Sequence, residues 1–375
     1  MRKSIRMASG AAAILLWAAA LATPASAVAK SAGSPVHLAK KHGLHKTRVV
    51  TANWPTSFTF SSDGRLWYTQ KQAGNIRIVR PGHGKHGHLF FHVRHVRSDG
   101  ERGLLGIALD PNFPATPYVY VYVTRTVGGK IVNQVMRLTD KHGRGKDAKV
   151  LFQTSSPATN HNGGRLLFGP DGMLYLVIGD GANPANSQDM SSVHGKILRM
   201  TKTGTIPADN PFGHRFAYTR GNRNSFGFTF DPKTGSLWET ENGPECNDEI
   251  NLILPGRNYG WGPSENCSGR SPRDTNQDGP HPRLPLRWYT PTIAPTGIAF
   301  CSSCGLGHGY QGRALFGCVN QANIRRLTLN ANRTDVRSQK VVFRNGANPV
   351  LSMESAPSGS IYFSDPTGIF RLRRG

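Results

Sequence analysis

HNGGRLLFGPDGMLYLVIGD, residues 161–180, is the stretch on which the fold turns. Pro170-Asp171-Gly172 is turn chemistry, and it joins the short run Leu166–Phe168 to the apolar run Met173–Ile178, so the segment reads as a β-hairpin. One end of the hairpin carries a histidine among Asn and Gly, and the other ends in Gly179-Asp180. Loops held by a rigid scaffold are where function concentrates.

The same phrase of turn followed by apolar run returns as SSDGRLWYT (61–69), DPKTGSLWE (231–239) and APSGSIYF (356–363), with weaker copies at 110–123 and 294–300. Its turn glycines fall near 64, 172, 235, 297 and 359, spaced by roughly 62 residues from 172 onward, which implies about six copies. The runs are apolar throughout, as in strands covered on both faces, and no helical period is sustained. A fixed repeat of β units that cannot bury their faces alone predicts an all-β, six-bladed β-propeller over residues 51–375. Two stacked sandwiches would leave the even spacing unexplained.

Upstream, Arg2, Lys3 and Arg6 precede an apolar stretch from Ala11 to Ala22 and then Ala25-Ser26-Ala27, the pattern of a secretory signal peptide over 1–27. The apolar run is shorter than the ~20 residues of a membrane span, so a secreted, extracellular protein without a transmembrane anchor is expected. Residues 28–50, rich in Lys, His, Gly and Ser, read as a disordered basic leader. The formal charge of +24 suits contact with an anionic cell wall or polysaccharide. Clusters of basic residues occur only at His37–Lys46, Arg80–Arg97 and Arg371–Arg374, a scatter that also describes a plain solvated surface. No nucleic-acid motif is present, so nucleic acid is not an expected partner. The histidines at 83, 86, 88, 92 and 95 read as a variable loop. Of five cysteines, Cys246 with Cys267 and Cys301 with Cys304 would make loop-closing disulfides and leave Cys318 free, although spacing does not determine the pairing. Zinc is disfavoured because the C-x-x-C at 301 has no second copy.

Loops of a propeller converge on one mouth, so residues remote in sequence can meet there. His161 with Asp180 could form a general base and its orienting carboxylate, although a lone histidine is more often structural. Arg223 and Asn224, within Gly221-Asn222-Arg223-Asn224, offer donors to a carboxylate or carbonyl; a structural ion pair is the alternative for Arg223. Arg102–Gly106, following Glu101, is a further candidate loop. Acidic residues number only 22, so Glu241, Glu245, Asp248 and Glu249 stand out. With carbonyls near Gly243-Pro244 and Tyr259 they supply hard oxygen ligands suited to Ca²⁺. Asp274–Gly279 matches the opening of a calcium loop, but its twelfth position is Pro285, as in an Asx-rich turn.

The phrases RGLLGIALDPNF, HNGGRLLFGPDGMLYLVIGD, GKILRMTKTGTIPADNPF, the long run from Gly221 to Gly262 and the final APSGSIYFSDPTGIFRL resemble the glucose/sorbosone dehydrogenase family. These are soluble quinoproteins that carry pyrroloquinoline quinone on a six-bladed propeller, and the likeness spans residues 52–373. The resemblance implies a sugar dehydrogenase that oxidises the C1 hydroxyl of an aldose to a lactone. It gives His161 the role of base, Asp180 that of its orienter, and Arg223 that of holding the quinone and stabilising negative charge. It implies cofactor contacts at Asn224, Asn242, Glu101 and Asn320, a Ca²⁺ on the carbonyls of Gly243 and Pro244, and a second calcium at Asp248, Glu249 and Tyr259. The chain departs from the family pattern at Glu101, where a neutral glutamine is usual, at Asn320 in place of a lysine, and at Pro349-Val350-Leu351 in place of an R-x-R. Arg325, Arg326 and Arg344 are candidates to substitute for it from neighbouring positions. Two other readings fit the same motifs: a non-catalytic extracellular propeller that binds a cell-surface or carbohydrate ligand, and a calcium-dependent lactone hydrolase.

Overall fold

The computed structural model describes residues 43–269 and 271–375, so the expected signal peptide and the leader up to residue 42 lie outside the described residues. Six antiparallel sheets follow one another along the chain. Blade 6 contains β1 (Leu44–Thr51), while blade 1 is β2 (Phe58–Phe60), β3 (Leu66–Gln70), β4 (Asn75–Val79) and β5 (His88–His92). Blade 2 is β6 (Leu104–Leu109), β7 (Tyr118–Val127), β8 (Lys130–Lys141) and β9 (Arg144–Ser155). Blade 3 has three strands, β10 (Leu166–Phe168), β11 (Leu174–Ile178) and β12 (Lys196–Met200). Blade 4 is β13 (Ser225–Phe230), β14 (Leu237–Glu241), β15 (Asp248–Ile253) and β16 (Arg287–Tyr289). Blade 5 is β17 (Pro295–Phe300), β18 (Ala314–Cys318), β19 (Asn323–Leu329) and β20 (Val336–Arg344). Blade 6 is completed by β21 (Ser352–Ser355), β22 (Ile361–Asp365) and β23 (Gly368–Arg374), with β1 paired outside β23. Around the axis β2 packs on β6, β6 on β10, β11 on β13, β13 on β17 and β17 on β21, and β2 meets β21 to close the ring.

Alternation along each strand explains the unbroken apolar runs. Trp67 joins the cluster between blades 1 and 2, whereas its neighbours Leu66 and Tyr68 join the cluster between blades 6 and 1. The same division places Tyr175 and Val177 against blade 4 and Leu174, Leu176 and Ile178 against blade 2. Clusters of this kind fill every interval between neighbouring blades, so each sheet is covered on both faces. No helix among the described residues is long and apolar enough to cross a membrane.

Three local expectations are corrected. Residues 44–50 do not belong to a disordered leader: they lie in β1, whose ladder with β23 runs from Leu44↔Arg374 to Thr51↔Gly368. Lys and Arg on this strand read as leader composition, yet charged side chains are what an outermost edge strand uses to stay unpaired. The 294–300 copy of the phrase is not a turn, because Gly297 lies inside β17, where a Cβ would sit 2.2 Å from the backbone nitrogen of Met353. The glycine is there for close packing of inner strands, and the real turn lies beyond it, closed by the Cys301–Cys304 disulfide. His88 and His92, read as loop, bound β5. The second disulfide is Cys246–Cys267, and Cys318 is free and buried.

Candidate active site

His161 sits in the loop before β10 in a left-handed backbone conformation, φ 56°, that histidine tolerates better than most residues. Gly179, at the exit of β11, allows this loop to settle onto the hairpin: a Cβ there would lie 2.5 Å from the His161 carbonyl oxygen. The imidazole Nδ1 is 2.6 Å from Asp180 Oδ1, which also accepts the Ala182 N–H at 2.8 Å. Asp180 Oδ2 accepts the indole N–H of Trp261 at 2.8 Å. With a carboxylate as its partner, Nδ1 is the donor, so Nε2 carries the free lone pair. The His161 side chain is 10 % exposed and the Asp180 side chain 1 %, so the pair is buried with a narrow opening.

Arg223 arrives from the loop before β13. Its Nη1 donates to the Asn242 carbonyl at 2.9 Å, its plane lies 5.1 Å from the Trp261 ring, and its buried Nε has no acceptor among the described residues. Burial pushes this guanidinium below its ordinary range, against the pull of Asp180, Glu101, Glu241 and Asp248. The backbone locks the two loops together, since the Asp180 N–H donates to the Arg223 carbonyl at 2.8 Å. Glu101 enters from the loop before β6, where Oε2 accepts the His161 N–H at 2.7 Å. Both its oxygens lie 3.3 Å from Asn224 Nδ2. Lys71 fixes that loop by donating to the carbonyls of Ser98 at 3.0 Å and Gly100 at 2.7 Å.

The predicted pair, Arg223, Asn224, Asn242 and Glu101 therefore come together, whereas other expected members do not. Asn320 is exposed, with its amide directed to the Thr292 carbonyl at 3.4 Å. Val350 and Leu351, at the departure from the expected R-x-R, are buried. Arg325 is held by Gln321 and Gln339, Arg326 by the Gly309 carbonyl, and Arg344 is exposed at the end of β20, so none replaces it. The residues expected at the second calcium each have partners within the protein. Asp248 Oδ1 accepts the Gly243 N–H at 2.9 Å, and Oδ2 accepts those of Ile293 and Ala294 at 2.5 and 2.7 Å. This carboxylate ties the Gly243 loop to blade 5; burial still pushes it up to about 6. The Tyr259 hydroxyl is spent on the backbone of Leu252 and Leu254. Glu249 instead accepts from Asn251 at 2.9 Å and Asn276 at 2.6 Å. Among the described residues no group of three or more His, Cys, Asp or Glu side chains is arranged to hold a metal ion. Asp274 accepts the N–H groups of Gly269 and Ser271, so that stretch is the Asx-rich turn.

Sequence reasoning passed over Trp261 and, among the acids, Glu239. Trp261, within the NYGWG phrase, serves both Asp180 and Arg223; a buried indole N–H needs an acceptor, which was the available signal. Behind Arg223 lies a buried belt of acids. Asn222 Nδ2 bridges Glu239 and Glu241 at 3.2–3.4 Å, Asn251 Nδ2 bridges Glu239 and Glu249, and the Arg223 N–H donates to Glu241. Burial raises all three carboxyls, Glu241 to about 7.

The sequence model of the glucose/sorbosone dehydrogenase family matches residues 52–370. The chain belongs to that family. The aldose sugar dehydrogenase of Escherichia coli is 27% identical over 323 residues, covering 82% of this chain and 86% of that one. The solved structure of the aldose sugar dehydrogenase of Streptomyces coelicolor in its PQQ-bound form aligns with a TM-score of 0.76 at 26% identity, over 89% of this chain and 99% of that one. A shorter likeness, 29% over 186 residues, relates 42% of the chain to 26% of the Hedgehog-interacting protein of Mus musculus.

Proposed function

We propose that this glucose/sorbosone dehydrogenase family member is a secreted enzyme that oxidises the C1 hydroxyl of an aldose to the lactone, with pyrroloquinoline quinone as hydride acceptor and Ca²⁺ beside it. The observation that carries the reading is the convergence of His161, Asp180, Trp261 and Arg223 in one buried mouth. The residues fit the reacting end of the quinone: Arg223 has an unpaired buried Nε and Asn224 an unpaired Oδ1, both wanting a polar partner. The carbonyls of Gly243 and Pro244 receive no hydrogen bond from the described residues and would hold the Ca²⁺. When bound, the quinone supplies an electrophilic carbon for hydride and the metal polarises its carbonyl.

The chain's own groups supply the remainder. His161 Nε2 takes the proton of the C1 hydroxyl as the C1 hydride departs, leaving a carbonyl that is the lactone of the sugar ring. Asp180 holds the imidazole by Nδ1 and stabilises the imidazolium that forms, while the Trp261 N–H fixes the carboxylate. Arg223, kept charged by four carboxylates, donates to the negative charge that accumulates opposite His161. Purified protein given quinone, Ca²⁺ and a panel of aldoses should reduce a dye acceptor, and His161→Ala should abolish this. No turnover across the panel together with no quinone binding by calorimetry defeats the proposal. A non-catalytic ligand-binding propeller is the second reading. It is supported by the grip of Glu101 on Asn224, which occupies a donor the cofactor would use, and by the likeness to the Hedgehog-interacting protein. Quinone-dependent turnover lost in His161→Ala rules it out.

A further inference from the structure

We infer that the seam closing the ring, between blades 6 and 1, is a binding groove for a polyanionic polymer bearing repeated carboxylate, sulfate or phosphate groups. The seam encloses a cavity of about 790 Å³ whose lining includes Arg48, Lys85, Arg371, Arg373 and Tyr362 and contains no acidic residue. Two of the three basic clusters in the sequence, Arg80–Arg97 and Arg371–Arg374, are remote in the chain; the pairing of β1 with β23 sets Arg371 and Arg373 beside Thr47 and His45, and Lys85 of the other cluster lines the same cavity. The backbone confirms the contact, since the Thr51 N–H donates to the Lys85 carbonyl at 2.9 Å.

The cations of the seam are not neutralised from within. Arg48 is positioned by the Thr367 carbonyl at 2.7 Å and by the Phe370 ring at 4.6 Å, neither of which is an anion. Among the described residues no Asp or Glu side chain forms an ion pair with Lys85, Arg371 or Arg373, and the buried Nε of Arg371 has no acceptor. Asp365, an acid of blade 6, is engaged by Lys46 at 3.3 Å. Four like charges around one cleft repel one another, and an external polyanion relieves that repulsion while releasing its own counterions. Position adds a second argument. Lys71, before β4, belongs to the loop cluster at the His161 mouth, so the Pro81–Lys85 turn after β4 lies at the opposite end of that strand. A polymer held in the seam leaves the mouth open.

The test is independent of the reaction at the mouth. Full-length mature protein is titrated with polygalacturonate, heparin and polyphosphate at several salt concentrations. Lys85→Gln/Arg373→Gln, both exposed positions, is compared with Lys146→Gln/Lys149→Gln, which removes the same charge from the exposed outer strand of blade 2. The seam variant should bind about tenfold more weakly, with a slope of log affinity on log salt shallower by roughly one to two, while the control stays near wild type. The relative loss among the three polymers identifies which anion the groove takes. Arg371→Gln, checked for an unchanged melting temperature, should act alone in the same direction. Equal losses in the seam and control variants, or no binding of any polymer, overturn the inference.

Discussion

Asp180→Asn separates orientation from charge at the base. The substituted amide has one oxygen and one NH₂ where the carboxylate has two acceptors serving three donors, His161 Nδ1, Ala182 N and Trp261 Nε1. If the oxygen faces His161 and Ala182, the Trp261 N–H meets an NH₂ and one buried donor is lost. The reverse orientation loses two donors and forces the imidazole into the wrong tautomer. The first is therefore favoured, at a stability cost of about 1–3 kcal/mol for the orphaned indole N–H. His161 keeps its geometry but loses the negative charge that stabilises the imidazolium. With the nearest atoms 2.6 Å apart, the centres of the two delocalised charges lie about 4–5 Å apart, and at an effective dielectric constant of about 20 that is worth about 3–4 kcal/mol, or roughly 10²–10³ in kcat. Turnover would be followed by dye reduction in quinone- and Ca²⁺-loaded enzyme, and stability by melting temperature. Adding Trp261→Phe to Asp180→Asn removes the clashing donor, so the double variant should recover much of the stability and none of the rate. Should Asp180→Asn retain turnover within about threefold, or the double variant restore it, the carboxylate is a structural acceptor and the assignment of His161 as base loses its main support.

Gly179→Ala should lower the melting temperature and turnover together, because its Cβ would meet the carbonyl oxygen and carbon of His161 at 2.5 and 2.8 Å, a backbone overlap costing about 1–3 kcal/mol; unchanged values would mean that the loop is not held by this contact. Glu101→Gln should tighten quinone binding by about tenfold in calorimetry, since it removes a negative charge and releases Asn224 Nδ2; equal affinities would show that Glu101 does not face the cofactor. Burial raises Glu354 to about 7, opposed by the charge of Arg165. A carboxyl raised on folding favours the native state below its ordinary pKa, and this contribution is lost as pH rises through about 7. Glu354→Gln should therefore melt like wild type near pH 5 and higher than wild type near pH 8, by of order 2 kcal/mol. A gain at pH 5 instead would reverse that sign.

Much of the fold was legible because propeller strands carry two apolar faces, and a Pro-Asp-Gly or Ser-Asp-Gly turn marks the passage from first to second strand. The failures share a physical origin: one residue type serves two ends. Gly297 packs against Met353 where Gly172 makes a turn, and nothing in the local sequence separates a glycine needed for close approach from one needed for positive φ. Residues 44–50 looked like leader because their partner strand lies at the other terminus, beyond any local pattern. Asp248 shows the same ambiguity at the site. A carboxylate among carbonyls suits calcium, yet it suits three backbone N–H groups equally well, and two of those that Asp248 accepts, from Ile293 and Ala294, arrive from the next blade, beyond any local pattern.

The mouth is built unevenly, and this bears on the chemistry. Glu101, His161, Asp180, Arg223, Asn242 and Trp261 all come from blades 2 to 4, which retain a complete base, its orienter and a guanidinium. Blades 5 and 6 offer an exposed Asn320 and the buried apolar Val350 in the corresponding places. A ligand with three carboxylates would thus meet one strong cation, Arg223, and one opposing anion, Glu101, and desolvating its remaining charges without partners is costly. The proton-transfer half of the reaction is consequently better specified than the cofactor-holding half. Quinone affinity should depend steeply on Ca²⁺, because the metal would be the second positive charge available to it. If affinity measured with and without Ca²⁺ differs by less than about threefold while remaining tight, cations other than Arg223 hold the quinone, and the view of a depleted clamp is wrong.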